Sequence, residues 1–219
     1  MPLQLFAHPF SSYCQKVLVA LYEHQTPFTL RLLGKDDPAT FDEFQTLWPL
    51  KRFPLLLDDG SAIAESSIII EHLDRHHPGA ARLIPEDADA ALEVRFLDRV
   101  FDNYVQTPMQ AIVAESMRPE GERDPRGAAD ARAALERAYA WLDEHMAGRP
   151  WAAGERFSLA DCAAGPALFY ADWAHPIGEA FPNLVAYRSR LNARPSFARA
   201  IEEARPYRHF FPLGAPDRD

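Results

Sequence analysis

The chain has 219 residues, of which 47% are hydrophobic and 25% charged, and its formal net charge is −9. This composition is typical of folded globular proteins and excludes a disordered or fibrous chain. With 32 acidic against 23 basic residues and no run of Lys or Arg longer than two, the sequence lacks the basic patch expected of a nucleic-acid binder.

The cysteines and the apolar runs indicate the cellular compartment of the protein. Cys14 and Cys162 are too few for a disulfide framework and lie outside any zinc-type spacing. No uncharged apolar run approaches the roughly 18 to 20 residues of a membrane span, and the first residues carry no basic leader. We therefore expect a soluble cytoplasmic protein with no membrane or nucleic-acid partner.

The first eighty residues alternate short apolar runs with helical patterns. Strands are predicted at residues 3–6, 28–32, 54–57 and 62–64, and helices from residue 11, around 38–46 and at 66–76. A strand, a helix and a strand within thirty residues predict a parallel pair. Asp59-Gly60 between two apolar runs predicts an antiparallel hairpin. The order βαβ-α-ββα predicts a four-stranded mixed sheet covered by helices.

Everything after Pro85 shows helical spacing. Helices are predicted at residues 87–117, 127–145, 158–173, 183–192 and 196–203. The change from mixed to purely helical patterns places a domain boundary between Pro78 and Pro85. We expect an α/β domain over residues 1–80 and an all-α domain over residues 86–219.

Three short polar segments lie where predicted strands meet helices or turns. Ser11-Ser12 opens the first helix, where unpaired backbone N–H groups favour an anion. Phe53-Pro54 precedes a strand, and a cis bond there would direct the Phe53 backbone to a ligand instead of the sheet ladder. Glu65-Ser66 opens the third helix and offers a hydroxyl and free amides to a carboxylate. Taken singly, each serine is better explained as a helix cap.

Other chemistries are excluded by spacing. None of the ten glycines lie two apart, so the chain has neither a dinucleotide-binding nor a nucleophile-elbow motif. His76-His77 adjoin at a helix end, and neighbouring helical residues point about 100° apart. We interpret this pair as a solvated helix cap and expect no metal site.

In combination, these segments resemble a cytosolic glutathione transferase of the bacterial, serine-type group. The resemblance covers nearly the whole chain and includes W-P-L-K-R-F-P over residues 48–54, Glu65-Ser66, and W-A-A-G-E-R-F-S-L-A-D over residues 151–161. The last segment ends in a capping box of Ser158 and Asp161, whose role is structural. The resemblance implies a thioredoxin-like N-terminal domain, an all-α C-terminal domain and a homodimer.

The resemblance also implies glutathione as co-substrate and assigns its binding residues. Glu65 and Ser66 would hold the γ-glutamyl carboxylate and amine. The backbone of Phe53, exposed by a cis Pro54, would pair with the cysteinyl part. Where the family often has Gly-Lys-Val-Pro, this chain has Lys51-Arg52-Phe53-Pro54, so Arg52 or Lys51 would hold the glycine carboxylate.

The same resemblance places the catalytic hydroxyl at the start of the first helix. Counting back from Lys16-Val17 aligns residues 11–14 with the C-x-x-C of glutaredoxin-like relatives, with Ser11 replacing the first cysteine. Ser11 would donate to the glutathione sulfur and favour its thiolate, and Ser12 is the alternative. Cys14, three residues after Ser11, is expected to face the core.

The function implied is conjugation of the glutathione thiolate to small, apolar electrophiles. The alternatives are a glutathione-dependent isomerase, a thiol–disulfide reductase that requires an exposed Cys14, and a non-catalytic binding protein on the same fold. The electrophile would lie between the domains, against residues drawn from Phe10, Tyr104, Met109 and Phe169 or from the aromatic tail 207–211.

Overall fold

The computed structural model describes residues 3–80 and 82–219. Its sheet has the strand order β2-β1-β3-β4, with β1 Leu3–Ala7, β2 Phe28–Leu32, β3 Leu55–Asp58 and β4 Ser61–Ala64. β1 and β2 are parallel, whereas β1–β3 and β3–β4 are antiparallel. The predicted mixed sheet is confirmed.

Helices cover both faces of this sheet. They are α1 Ser12–His24, α2 Pro38–Leu47 and α3 Ser66–His76. Successive strand residues point to opposite faces, so Leu5 joins the core formed with α1 and α3, whereas Phe6 packs with Phe44 of α2 in a second core cluster. The turns that lead into α1 and α3 are therefore held against a buried core.

The second half of the described chain is helical, as predicted. It contains α4 Ala88–Val100, a π-helical turn Phe101–Gln106, α5 Thr107–Ser116, α6 Pro125–Met146, α7 Leu159–Ala174, α8 Pro182–Asn192 and α9 Pro195–Ala204, with 3-10 turns at Glu120–Glu122 and Arg205–Phe210. Together the two halves form a thioredoxin-like N-terminal domain followed by a helical C-terminal domain. Among the described residues, no helix is long and apolar enough to cross a membrane.

The prediction of one regular helix over residues 87–117 is wrong in one respect. A π-helical turn at Phe101–Gln106 separates α4 from α5. Pro108 has no N–H to donate to the carbonyl of Tyr104, four residues earlier. The N–H of Thr107 donates instead to the carbonyl of Asp102, five residues earlier, and the Thr107 hydroxyl donates to that same oxygen at 3.0 Å. Such π-turns occur within α-helices and are frequent at functional sites.

The central helix α7 begins at the predicted capping box. The carboxylate of Asp161 accepts from the backbone N–H of Ser158 at 2.9 Å and from its hydroxyl at 3.0 Å. It also accepts from the N–H of Ala152 at 2.8 Å and from the hydroxyl of Tyr187 at 2.5 Å. Asp161 therefore joins three segments of the helical domain, which supports the structural role predicted for it.

Candidate active site

Ser11 lies in the turn between β1 and α1. Its backbone is extended, and it caps α1, with Oγ accepting a long hydrogen bond of 3.5 Å from the N–H of Cys14. The N–H of Ser11 donates to the carbonyl of His8 at 2.9 Å, which holds the turn closed. A hydroxyl oxygen that accepts in this way keeps its own proton for another acceptor. The half-buried Ser11 hydroxyl can thus donate to an anion placed before α1.

Ser12 and Cys14 are turned into the protein. Ser12 is buried, and its Oγ accepts a hydrogen bond of 2.5 Å from the side-chain amide of Gln106. Cys14 is fully buried, and burial raises the pKa of its thiol to about 12. Only a thiolate is an effective nucleophile. Cys14 is therefore a core residue, as predicted.

The second junction is the segment before β3. The bond between Phe53 and Pro54 is cis, as predicted. Pairing of β3 with β1 begins at Leu55, opposite Phe6, so the backbone of Phe53 lies outside that ladder. The Phe53 ring packs against Phe44 with its centroid 6.4 Å away, which anchors the segment to α2.

The third junction is the turn from β4 into α3. Glu65 has φ +70° and ψ 118° and precedes the first helical residue, Ser66. A left-handed φ costs a residue other than glycine about 1–3 kcal/mol and is concentrated at functional sites. The Glu65 side chain is exposed and Ser66 is buried. The carbonyl of Glu65 accepts from the N–H of Ile69 at 2.8 Å, so the strained residue is fixed by the helix that follows.

These junctions line one cavity of about 540 Å³, a size typical of small-molecule sites. Its lining includes every site residue predicted from the sequence, namely Ser11, Lys51, Arg52, Phe53, Pro54, Glu65 and Ser66. Lys51 and Arg52 are exposed cations at the wall, and Glu65 supplies a carboxylate. The cavity thus offers charges of both signs to a zwitterionic ligand.

Five further lining residues were missed by the sequence reasoning: Tyr13, Arg99, Asp102, Asn103 and Gln110. Four of them come from α4, the π-turn and α5, so their approach depends on how the helical domain packs. Tyr13 follows Ser11 by two residues, and its pKa is raised to about 12, chiefly by burial. Its hydroxyl therefore stays protonated at neutral pH and is a further donor in the cavity.

A buried ionic cluster connects this wall to α1. The Nζ atom of Lys16, which is 1% exposed, lies 2.5 Å from Oδ1 of Asp98, 2.9 Å from Oδ2 of Asp102 and 2.9 Å from Oγ of Ser67. Arg99 donates to the same two carboxylates at 2.7 and 2.5 Å. Two cations and two anions balance one another in low dielectric. The sequence did contain a signal for this cluster. Lys16 falls on the inward face of α1, and a buried lysine requires acidic partners from another part of the chain.

The residues suggested for an apolar acceptor site are not brought together. Met109 and Phe169 are buried in the core. Tyr104 lines a different groove, beside Phe96 and Trp141. The tail rings of Tyr207 and Phe210 lie 4.6 and 6.0 Å from the ring of His8, between centroids. Met109, Phe169 and Tyr104 therefore do not share one pocket, because helical spacing could not distinguish core-facing from cavity-facing side chains, whereas an acceptor site at the aromatic tail stays a prediction.

Comparison with family models assigns both halves of the chain. Residues 5–81 match the model described as "Glutathione S-transferase, N-terminal domain". Residues 110–190 match the model described as "Glutathione S-transferase, C-terminal domain".

Relatives and solved structures agree with these matches. The chain is 30% identical to the "Probable maleylacetoacetate isomerase" of Vibrio cholerae over 94% of this chain and 98% of the relative. It is 30% identical to a glutathione S-transferase of Methylobacillus flagellatus solved with glutathione bound, with a TM-score of 0.80 over 90% of this chain and 98% of that one. It is 32% identical to a glutathione S-transferase of Methylobacterium radiotolerans solved with glutathione sulfonate, with a TM-score of 0.79 over 92% of this chain and 95% of that one.

Proposed function

Because the chain belongs to the glutathione S-transferase family, we propose that it binds glutathione in the cavity described above and transfers its thiolate to small electrophiles. The observation that carries the proposal is the convergence of three separate junctions on that one cavity. In the reaction, the thiol proton leaves, the sulfur forms a bond to an electrophilic carbon, and a leaving group departs or a double bond takes up the electron pair.

Ser11 is the residue we assign to the sulfur. Lowering the pKa of a thiol from about 8.5 by roughly two units requires about 2.7 kcal/mol. A hydrogen bond to an anion contributes about 1.5–3 kcal/mol and a helix N-terminus about 0.3–1 kcal/mol. Ser11 provides both, because it caps α1 and its hydroxyl proton is available. Ser12 is less suited, because it is buried and, unlike Ser11, is not among the residues that line the cavity.

The remaining lining residues fit the rest of the tripeptide. The γ-glutamyl carboxylate and amine would bind Ser66 and Glu65. The cysteinyl backbone would pair with Phe53 beside the cis Pro54, and the glycine carboxylate would bind Arg52 or Lys51. In these assignments each carboxylate of glutathione meets a cationic side chain or a hydroxyl, and its amine meets the carboxylate of Glu65.

A glutathione-dependent isomerase is the second candidate. The wall contributed by the helical domain is polar, with Arg99, Asn103 and Gln110, which favours an acceptor that itself carries polar or carboxylate groups over a purely apolar one. The relative from Vibrio cholerae is named as a probable isomerase. In such a reaction the thiolate adds to a double bond, the resulting single bond rotates, and elimination restores the thiolate.

A thiol–disulfide reductase is not supported, because it would need Cys14 at the surface. Cys14 is fully buried, and burial raises the pKa of its thiol to about 12.

We further propose that the glutathione-binding domain spans residues 1–80 and the helical domain residues 86–219, and that the protein is a homodimer.

Calorimetry with glutathione, followed by a substrate panel, tests the proposal. We expect saturable binding of one glutathione per chain and turnover of electrophilic acceptors. The panel contains apolar halogenated aromatics, polar cis-alkenes with carboxylates and a disulfide. Turnover of only the cis-alkenes, with glutathione regenerated, would identify the isomerase. Glutathione binding without any turnover would identify a binding protein, and no binding would contradict the proposal.

A further inference from the structure

Two imidazoles and one carboxylate meet at the end of β3 and the C-terminal turn of α3. The Nε2 atoms of His72 and His77 lie 2.8 and 2.7 Å from the same oxygen, Oδ2 of Asp58. The candidate ligand atoms of the three residues all lie within 4.8 Å of one another. Ring nitrogens combined with a carboxylate oxygen are a donor set that Zn²⁺ and other first-row divalent ions prefer.

The backbone explains how His77 reaches this position. Five residues along a regular helix would place His77 about 140° around the axis from His72. His77 instead ends α3, with φ −132° and ψ 52°, so its side chain leaves the helical direction. Asp58 is the last residue of β3, directly before the hairpin. The interpretation of His76-His77 as a solvated cap considered the two neighbours and missed this geometry.

We propose that Asp58, His72 and His77 bind one divalent transition-metal ion of the Zn²⁺ class, with water completing the coordination. The three side chains are only 15%, 22% and 31% exposed, which shields the ion but leaves one side open to water. Among the described residues, this cluster shares no member with the lining of the glutathione cavity. The proposal therefore stands independently of the proposed function.

The chemistry of the three groups suits such an ion. Asp58 accepts from both imidazoles through the same oxygen, Oδ2, so the carboxylate and the two ring nitrogens already face one another. In the hydrogen-bonded state each Nε2 donates its proton to Oδ2. On metal binding that proton moves to Nδ1 of the same ring, which frees the Nε2 lone pair. The nitrogen–oxygen separations must then grow to about 3.3 Å, the spacing of tetrahedral ligands about 2.0–2.1 Å from a metal.

The competing interpretation is a purely structural one. Asp58 would then accept two hydrogen bonds that hold the hairpin against the end of α3, and no metal would bind. The two interpretations differ in whether zinc binds stoichiometrically and in whether His72 and His77 contribute to that binding. His76 provides a matched control, because it is exposed, adjoins His77 and has its ring centroid 4.6 Å from that of His72.

Calorimetry of tag-free, chelator-treated protein with Zn²⁺, in the absence of glutathione, tests the proposal. We expect one ion per chain, with Mg²⁺ failing to bind at the same concentrations. His72→Ala and His77→Ala should each weaken binding at least about tenfold, since even a residue that only orients a metal ligand contributes about 10- to 100-fold. His76→Ala should leave affinity unchanged. Absent binding by the wild-type protein, or binding retained by both His72→Ala and His77→Ala, would overturn the proposal.

Two further measurements cover the case in which a variant fails to fold. Zn²⁺ should raise the melting temperature of the wild-type protein and of His76→Ala, because an ion that binds only the folded state stabilises it. X-ray absorption of the zinc-loaded wild-type protein should show two imidazole nitrogens at about 2.0–2.1 Å. A spectrum with oxygen ligands alone would refute the assignment without any variant.

Discussion

At the scale of single residues, the neighbours Ser11 and Ser12 have different surroundings, since Ser11 lines the cavity and Ser12 is buried. Ser11 precedes the helix and accepts only a long bond from Cys14, whereas Ser12 lies inside the first turn and is held by Gln106. The sequence indicated the junction but could not decide between the two hydroxyls from spacing. Their partners lie up to 94 residues away, and only the packing of the helical domain identifies them.

Ser11→Ala should lower the rate of conjugation at neutral pH by roughly ten- to a hundredfold, the kinetic equivalent of about 1.5–3 kcal/mol. The variant loses the donor to the sulfur, so the pKa of the bound thiol should rise and activity should recover as pH increases. Rates measured between about pH 6 and 9 check this. In that range neither Tyr13 nor Cys14 titrates, because burial raises both pKa values to about 12.

Three variants serve as controls for that experiment. Ser11→Thr keeps both the cap and the hydroxyl and should retain most of the activity. Ser12→Ala removes a buried acceptor for Gln106 and should lower stability while leaving the pH profile in place. Tyr13→Phe removes another hydroxyl of the cavity. An unchanged profile in Ser11→Ala, together with a shifted one in Tyr13→Phe or Ser12→Ala, would move the assignment to that residue.

Glu65→Gly should separate backbone strain from ligand binding. Glycine adopts φ +70° without the cost that Glu65 bears, so the free energy of unfolding should stay level or increase. Glutathione affinity should fall roughly ten- to a hundredfold, because a charged hydrogen bond of about 1.5–3 kcal/mol is lost. Gln25→Gly is the matched control, since Gln25 has φ +55° at the exposed end of α1. It should leave affinity unaltered, and equal losses in both variants would contradict the role of Glu65.

At the scale of elements, local pattern predicted most of the fold. β2 and α3 have the predicted bounds, because turn and cap residues flank both. The hairpin at Asp59-Gly60 and the capping box at Ser158 were likewise readable from a few neighbouring residues. The π-turn was not, since the effect of Pro108 depends on the helix continuing through it. The same holds for Asp58, which meets His72 only once the hairpin has folded back.

Lys16→Met should destabilise the protein by about 3–5 kcal/mol, because it leaves Asp98 and Asp102 buried with one cation fewer. Urea unfolding at matched protein concentration measures the change. Lys35→Met, at an exposed position of the loop before α2, should alter the free energy of unfolding by less than about 0.5 kcal/mol. Adding Asp98→Asn to Lys16→Met should recover part of the loss. A loss in Lys16→Met no larger than in Lys35→Met would show that Arg99 alone neutralises the cluster.

At the scale of the whole molecule, the cavity is built by two parts of the chain that sequence patterns treat separately. The thioredoxin-like half supplies the predicted residues, and the helical half supplies Arg99, Asn103 and Gln110. Motifs at strand–helix junctions made the first set predictable. The second set lies on long amphipathic helices, where many polar positions look alike. The wall contributed by the helical half is thus the part of the cavity that could not be predicted from the sequence.

Two exposed apolar residues on α4 lead to a prediction about the oligomeric state of the protein. Leu92 and Phe96 lie one turn apart and are 66% and 53% exposed, and apolar side chains grouped in this way mark interfaces. We expect a homodimer, with light scattering giving twice the chain mass of 24.7 kDa at micromolar concentration. The double variant Leu92→Glu/Phe96→Glu should dissociate it, because two buried carboxylates would be left unpaired. Val185→Glu, at an exposed apolar position of α8, should remain dimeric. A wild-type mass of one chain would contradict the dimer, and a double variant that stays dimeric would place the interface elsewhere.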